Sequence, residues 1–121
     1  MKAVTRIVLV DDHNEKFFGE GPYRLLLAVE ACGSLRAAAQ SMGMAYTKAL
    51  RLLKTAEAAL GFPLTARAAG GRDGGGSRLT SEGKEWLAKY EAYRAACAAA
   101  NARLYSEIFC AEREAAPLSD G

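Results

Sequence analysis

Apolar residues recur at helical spacing along most of this chain. From Tyr23 to Ala31, Leu25, Leu26 and Val29 keep the three-to-four-residue period that lines one face of a helix. Pro22 fits the first turn of such a helix, where its missing N–H costs nothing. Gly33 ends it, and Ser34 is a good N-cap for a short second helix, Leu35–Met42, with Leu35, Ala38, Ala39 and Met42 on one stripe. After Gly43 a third helix is predicted from Tyr46 to Leu60. Its stripe is Tyr46, Leu50, Leu53, Glu57 and Leu60, apolar except for Glu57, and Gly61 and Pro63 stop it.

Extended stretches are shorter. Lys2–Val10 holds β-branched residues and ends at the polar Asp11–Glu15, which predicts a strand. Leu64–Ala68 and Ser77–Thr80 flank a glycine-rich tip, Gly70–Gly76, and predict a β-hairpin. Thr80 or Ser81 then caps a final helix that runs to about Arg113, with Glu82 placed to suit the helix dipole. On that helix Trp86, Tyr90, Tyr93, Cys97, Ala100 and Leu104 follow one another at steps of four and three, as in a coiled-coil seam. Ala95–Ala100 is almost all small, so another helix could approach closely. A single small domain does not need so long a seam. Dimerisation with a second copy is its simplest use, and folding back on the chain's own core is the other.

The order helix, glycine, short helix, glycine, helix, hairpin defines the fold class: mainly α with a small β wing, a winged helix-turn-helix followed by a long C-terminal dimerisation helix. The expected organisation is a winged helix-turn-helix domain over 1–80, the dimerisation helix over 81–113 and a disordered tail over 114–121. The chain of 121 residues suffices for one domain plus one such element.

Composition narrows the classes of function. Half the residues are hydrophobic and a quarter charged, so the chain is globular and not disordered. The run Ile7–Val10 is far short of the roughly 20 apolar residues of a membrane span, and no signal-peptide core opens the chain. A cytoplasmic protein without membrane contact is expected. The three cysteines, Cys32, Cys97 and Cys110, lack C-x-x-C spacing, which argues against a zinc knuckle or a disulfide framework. They read as small buried hydrophobes, with a redox sensor as the alternative. No nucleophile–base pair and no metal-ligand cluster emerges, so neither an enzyme nor a cofactor is expected. Ile7–His13 looks like the opening strand and acidic pair of a receiver domain, but no aspartate lies between His13 and Asp73 to accept a phosphate. Asp11, Asp12 and His13 read as a polar turn after a strand, with a stray metal site as the lesser reading.

The net charge of +2 says little, but its distribution says more. Thr47–Arg78 carries Lys48, Arg51, Lys54, Arg67, Arg72 and Arg78 against only Glu57 and Asp73, which gives one face for a polyanion. Double-stranded DNA is the expected partner. The second helix of a helix-turn-helix enters the major groove, with base contacts near its N-terminus. Thr47, Lys48, Arg51 and Thr55 lie opposite the apolar stripe, Arg51 suits guanine O6 and N7, and Lys54 on the flank suits a phosphate. Ser34 and Arg36 at the start of the short helix, Tyr46 at the start of the third, and the wing arginines Arg67, Arg72 and Arg78 complete the expected surface. The glycine tip is not followed by Gly-Lys-Ser/Thr, which argues against a nucleotide-binding loop.

Phe18-Gly19-Glu20-Gly21, Gly33-Ser34-Leu35, Ala38-Ala39 and Met42-Gly43-Met44-Ala45-Tyr46 resemble the N-terminal domain of the ModE family of molybdate-responsive regulators. So do Pro63-Leu64, the run Arg67–Gly76, Leu79-Thr80 and Gly83. The likeness covers roughly 5–110, the glycine-rich wing is its most specific part, and the wider resemblance is to LysR-type winged-helix domains. It implies Leu35–Met42 and Tyr46–Leu60 as the helix-turn-helix and a dimerising C-terminal helix. Ala45 stands where the family usually has a serine cap, and Leu50-Arg51 where Trp-Asp is common, which makes the helix more basic. The chain ends where full-length members continue into molybdate-binding domains, so it resembles the stand-alone members and no molybdate site is expected in it. The expected function is a dimeric, sequence-specific transcription regulator. The alternative is a protein-interaction module with a degenerate helix-turn-helix, favoured by the lost cap at Ala45.

Overall fold

The computed structural model describes residues 1–68 and 76–110. They fall into two compact units, Ile7–Lys89 and a second made of Met1–Arg6 with the chain from Tyr90 onward. In order the elements are β1 (Leu9–Val10), β2 (Lys16–Phe18), α1 (Glu20–Cys32), α2 (Leu35–Ser41), α3 (Tyr46–Leu60), β3 (Thr65–Arg67), β4 (Ser77–Leu79) and α4 (Ser81–Tyr105), with a π-helical turn at Ser106–Cys110.

The first unit is built on α1, α2 and α3. Leu25, Leu26 and Val29 of α1 pack with Leu35, Ala38 and Ala39 of α2 and with Ala49, Leu53 and Ala56 of α3, all buried. The fold class expected from the pattern is the one found. Gly33 and Gly43 sit at φ of 79° and 65°, a left-handed turn at each end of α2 that side-chain-bearing residues adopt at a cost. These two turns set the short helix between its neighbours. Ser34 Oγ accepts the Ala37 N–H at 3.0 Å, the predicted cap. Ala45, at the N-cap of α3, offers no such bond.

Four sequence expectations need correction. The cysteines are not buried: Cys32 is exposed and Cys97 and Cys110 are half-buried. The predicted strand Lys2–Val10 pairs only at Leu9–Val10, where it meets a strand the pattern did not announce, β2, with Leu9 opposite Phe18 and Val10 opposite Lys16. A strand needs a partner ladder as well as β-branched residues. Met1–Arg6 is held differently, in the other unit: Asn101 Nδ2 donates to the Ala3 carbonyl at 3.2 Å and to Thr5 Oγ1 at 2.6 Å. The stripe of α3 is also rotated. Its deepest residues are Ala49, Leu53 and Ala56, while Tyr46, Leu50, Glu57 and Leu60 are half-buried at the edge. Small residues let α3 come close to its neighbours, so Ala49 and Ala56 face the centre beside Leu53, and Leu50 and Leu60 do not. The final helix gives way to a π-helical turn after Tyr105, and both its expected end near Arg113 and the tail 114–121 lie outside the described residues.

Glu57, the odd carboxylate in the apolar stripe, has a structural task. Its Oε2 accepts the Leu64 N–H at 2.8 Å, tying the end of α3 to the start of the hairpin across Pro63. Lys54 Nζ lies 3.8 Å from its other oxygen. Glu57→Ala strands a part-buried N–H and should cost about 1–3 kcal/mol in urea denaturation, with Glu57→Gln recovering most of it. Equal losses in both variants would show that the charge and not the acceptor matters.

The corner at the start of α4 is closely packed. Thr80 caps the helix by accepting the Gly83 N–H on Oγ1 at 2.8 Å, and the same hydroxyl donates to the Pro63 carbonyl at 2.7 Å. Thr80 N–H reaches the Leu64 carbonyl at 2.9 Å. On the other side, Ser77 N–H donates to the Gly33 carbonyl at 2.8 Å, which ties the loop-proximal end of β4 to the end of α1.

Candidate nucleic-acid interface

With Ala49, Leu53 and Ala56 turned inward, α3 presents Thr47, Lys48, Arg51, Lys54 and Thr55 to solvent. All five were singled out in the sequence. Arg51 and Thr55 open onto a cleft of about 320 Å³, walled in part by Phe17, Pro22 and Leu52 and bordered by Lys16. Lys16 was missed because it sits in an acidic stretch, and it lines the same cleft as Arg51 and Thr55.

The helix ends carry a second signal. α1 and α4 begin with acids in the first turn, Glu20 and Glu82, as the helix dipole favours. α2 and α3 have no acid in their first turns. They carry Arg36, Thr47 and Lys48 there instead. A cation at a helix N-terminus works against helix stability. That arrangement suits a surface that meets an outside polyanion.

Arg36 and Tyr46 come together. The guanidinium carbon of Arg36 lies 4.3 Å from the centre of the Tyr46 ring, a cation–π stack between the first turns of α2 and α3. Ser34 is occupied as the α2 cap. In the wing, Ala66 pairs with Arg78 and Arg67 with Ser77. Strand alternation therefore sends the exposed Arg67 and Arg78 to opposite faces of the hairpin. Arg72 and the glycine tip from Gly70 to Gly75 lie outside the described residues.

The predicted helix seam divides. Trp86 is half-buried, its ring 6.3 Å from Phe17 and 5.4 Å, edge-on, from Phe18. Tyr90 is only 3% exposed. The rings that meet Trp86 come from β2, a strand that the sequence pattern did not show. In the second unit Tyr93 and Leu104 are exposed, Cys97 and Ala100 half-buried, and Ile108 and Phe109 continue the exposed apolar surface. A hydrogen bond with the Cys97 thiol, and its charge, raise the Tyr93 phenol above its ordinary pKa.

The Asp11–His13 segment is a polar turn. Asp11 Oδ1 accepts the His13 and Glu15 N–H groups at 2.8 and 2.9 Å. The Glu15 bond above all, with the His13 bond and the His13 charge, holds the carboxyl below its ordinary pKa. This carboxylate is committed to its own loop. Among the described residues no His, Cys, Asp and Glu side chains group to hold a metal, and no helix is long and apolar enough to cross a membrane.

Residues 22–84 match the family described as bacterial regulatory helix-turn-helix protein, lysR family. The chain belongs to this family. It is 41% identical over 69 residues to the molybdenum transport protein ModE of Azotobacter vinelandii, a match covering 57% of this chain and 26% of that protein. It is 36% identical over 74 residues to the molybdenum-pterin-binding protein MopB of Rhodobacter capsulatus, covering 61% and 27%. The chain thus spans about a quarter of the length of these curated relatives. The ModE-like character read from the wing and the glycine turns is upheld. The crystal structure of the CbnR_DBD-DNA complex shares the fold, with a TM-score of 0.56 at 22% identity over 71% of this chain and 93% of that one.

Proposed function

We propose that this chain is a sequence-specific, DNA-binding transcriptional regulator that acts as a homodimer. The observation that carries the reading is the solvent face of α3, where Thr47, Lys48, Arg51 and Thr55 stand exposed on a helix whose first turn has no acid. α3 docks in the major groove, whose width admits a helix, and the wing and Lys54 meet the phosphates. Residues 1–80 serve as the DNA-binding module and 81–113 as the dimerisation helix. The membership in a family of regulators and the likeness to a fold solved with DNA support this assignment over any catalytic one. No molybdate site and no cofactor is assigned to the chain.

The seam that joins two copies begins at Tyr93 and runs through Cys97, Ala100 and Leu104. Exposed apolar surface on one side of a helix is costly to leave in water, and a second copy covers it most simply. A two-fold dimer places its half-sites about one turn of DNA apart, or a multiple of that.

Selection of bound fragments from genomic DNA, followed by sedimentation of the protein with and without the selected duplex, tests the whole reading. A dimer at micromolar concentration and a pseudo-palindromic site are expected. Ala100→Glu sets a charge in the seam and should shift the sedimenting species toward monomer, with DNA affinity falling in parallel. A clean wild-type monomer would refute the dimer. The uncapped start of α3 at Ala45 favours the other reading, a protein-interaction module. Weak binding to all duplexes alike would make that the better account.

A further inference from the structure

We infer that Tyr46 acts as a positioning residue for Arg36, holding its guanidinium ready for a DNA phosphate, and does not itself read a base. The inference rests on the DNA reading above and assigns roles within that site.

Arg36 is the second residue of α2 and is exposed, and no ion pair holds it among the described residues. An exposed arginine samples many rotamers, and ordering it on binding weakens affinity. Its position also opposes the dipole of its own helix, so the helix does not hold the charge in place. The Tyr46 ring does, at 4.3 Å. Tyr46 is the first residue of α3 and is half-buried, so its ring is a fixed platform and not a mobile arm. A ring face covered by a guanidinium is not free to stack on a base. The pair bridges the starts of the two helices of the helix-turn-helix, where the protein meets the backbone flanking the groove. Arginine keeps spare N–H donors when stacked, because stacking uses its plane and leaves its edge for phosphate oxygens.

The test is a double-mutant cycle on the duplex selected by the wild type, at two or more salt concentrations. Arg36→Ala should weaken all duplexes about equally and lower the salt slope by roughly one unit per half-site. Tyr46→Leu should lose about two- to fivefold in affinity, the worth of an exposed cation–π contact, with base preference unchanged. Tyr46→Phe keeps the ring and should bind like the wild type, which also controls for folding. Added to Arg36→Ala, the Tyr46→Leu change should cost nothing more. Additive losses, a change of base preference in Tyr46→Leu, or a Tyr46→Phe variant as weak as Tyr46→Leu would each overturn the inference while leaving DNA binding intact. A wild type that selects no duplex would overturn the DNA reading itself.

Discussion

Gly83→Ala should lower the melting temperature by roughly 10 °C, although alanine is the better helix former. In the first turn of α4 an added Cβ would overlap the carbonyl oxygen of Leu64 and lie 3.1 Å from Thr80 Oγ1. Neither atom can step aside freely. The Leu64 carbonyl accepts the Thr80 N–H, and the Thr80 hydroxyl is bonded to Pro63 and to the Gly83 N–H itself. Relief means shifting backbone, with an overpacking cost of about 1–3 kcal/mol. At the upper end, and about 4 °C per kcal/mol for a unit of this size, the shift reaches that figure. Helix propensity alone predicts the opposite sign, a gain of about 1 kcal/mol. Thermal and urea melts therefore decide between two signs. A variant as stable as the wild type would mean that the corner yields without strain.

The second large effect is on recognition. Arg51→Ala should cost about 1–3 kcal/mol of affinity for the selected duplex and relax preference at one position per half-site. Arg51 stands a turn inside α3, exposed, with no ion pair among the described residues. Lys54 differs. It lies 3.8 Å from Glu57 and on the flank of the helix, which suits a phosphate contact already partly satisfied. Lys54→Ala should weaken all sequences alike and reduce the salt slope by roughly one unit per half-site at most. Salt titrations on the selected site and on a scrambled duplex separate the two classes. If both variants lost affinity equally on both duplexes, Arg51 would be a phosphate contact and base reading would lie elsewhere.

The legible parts of this molecule were those set by short-range rules. Gly33 and Gly43 mark the turns, Ser34 marks a cap, and the bounds of α3 follow from Tyr46 to Leu60 as read. The ModE-like wing and the glycine at position 83 were visible as a pattern, but not the reason for Gly83, which lies in a carbonyl nearly twenty residues earlier. Long-range partners were hidden. β2 appears only once Leu9 and Val10 have something to pair with, and Phe17 and Phe18 on it then claim Trp86. A period of four and three on α4 could not tell the buried ring of Tyr90 from the exposed ring of Tyr93. The Arg36–Tyr46 stack was equally out of reach, since both residues were named for DNA but nothing in their spacing said that they touch.

The missing acids at the starts of α2 and α3 put durability and recognition in conflict. Placing aspartate or glutamate at positions 36, 47 or 48 would suit the helix dipoles and toughen the fold by a few tenths to about 1 kcal/mol each. On the proposed function, the same changes would turn the surface that meets DNA repulsive. A heat-based screen for hardier variants would enrich them and deliver proteins that survive well and regulate nothing.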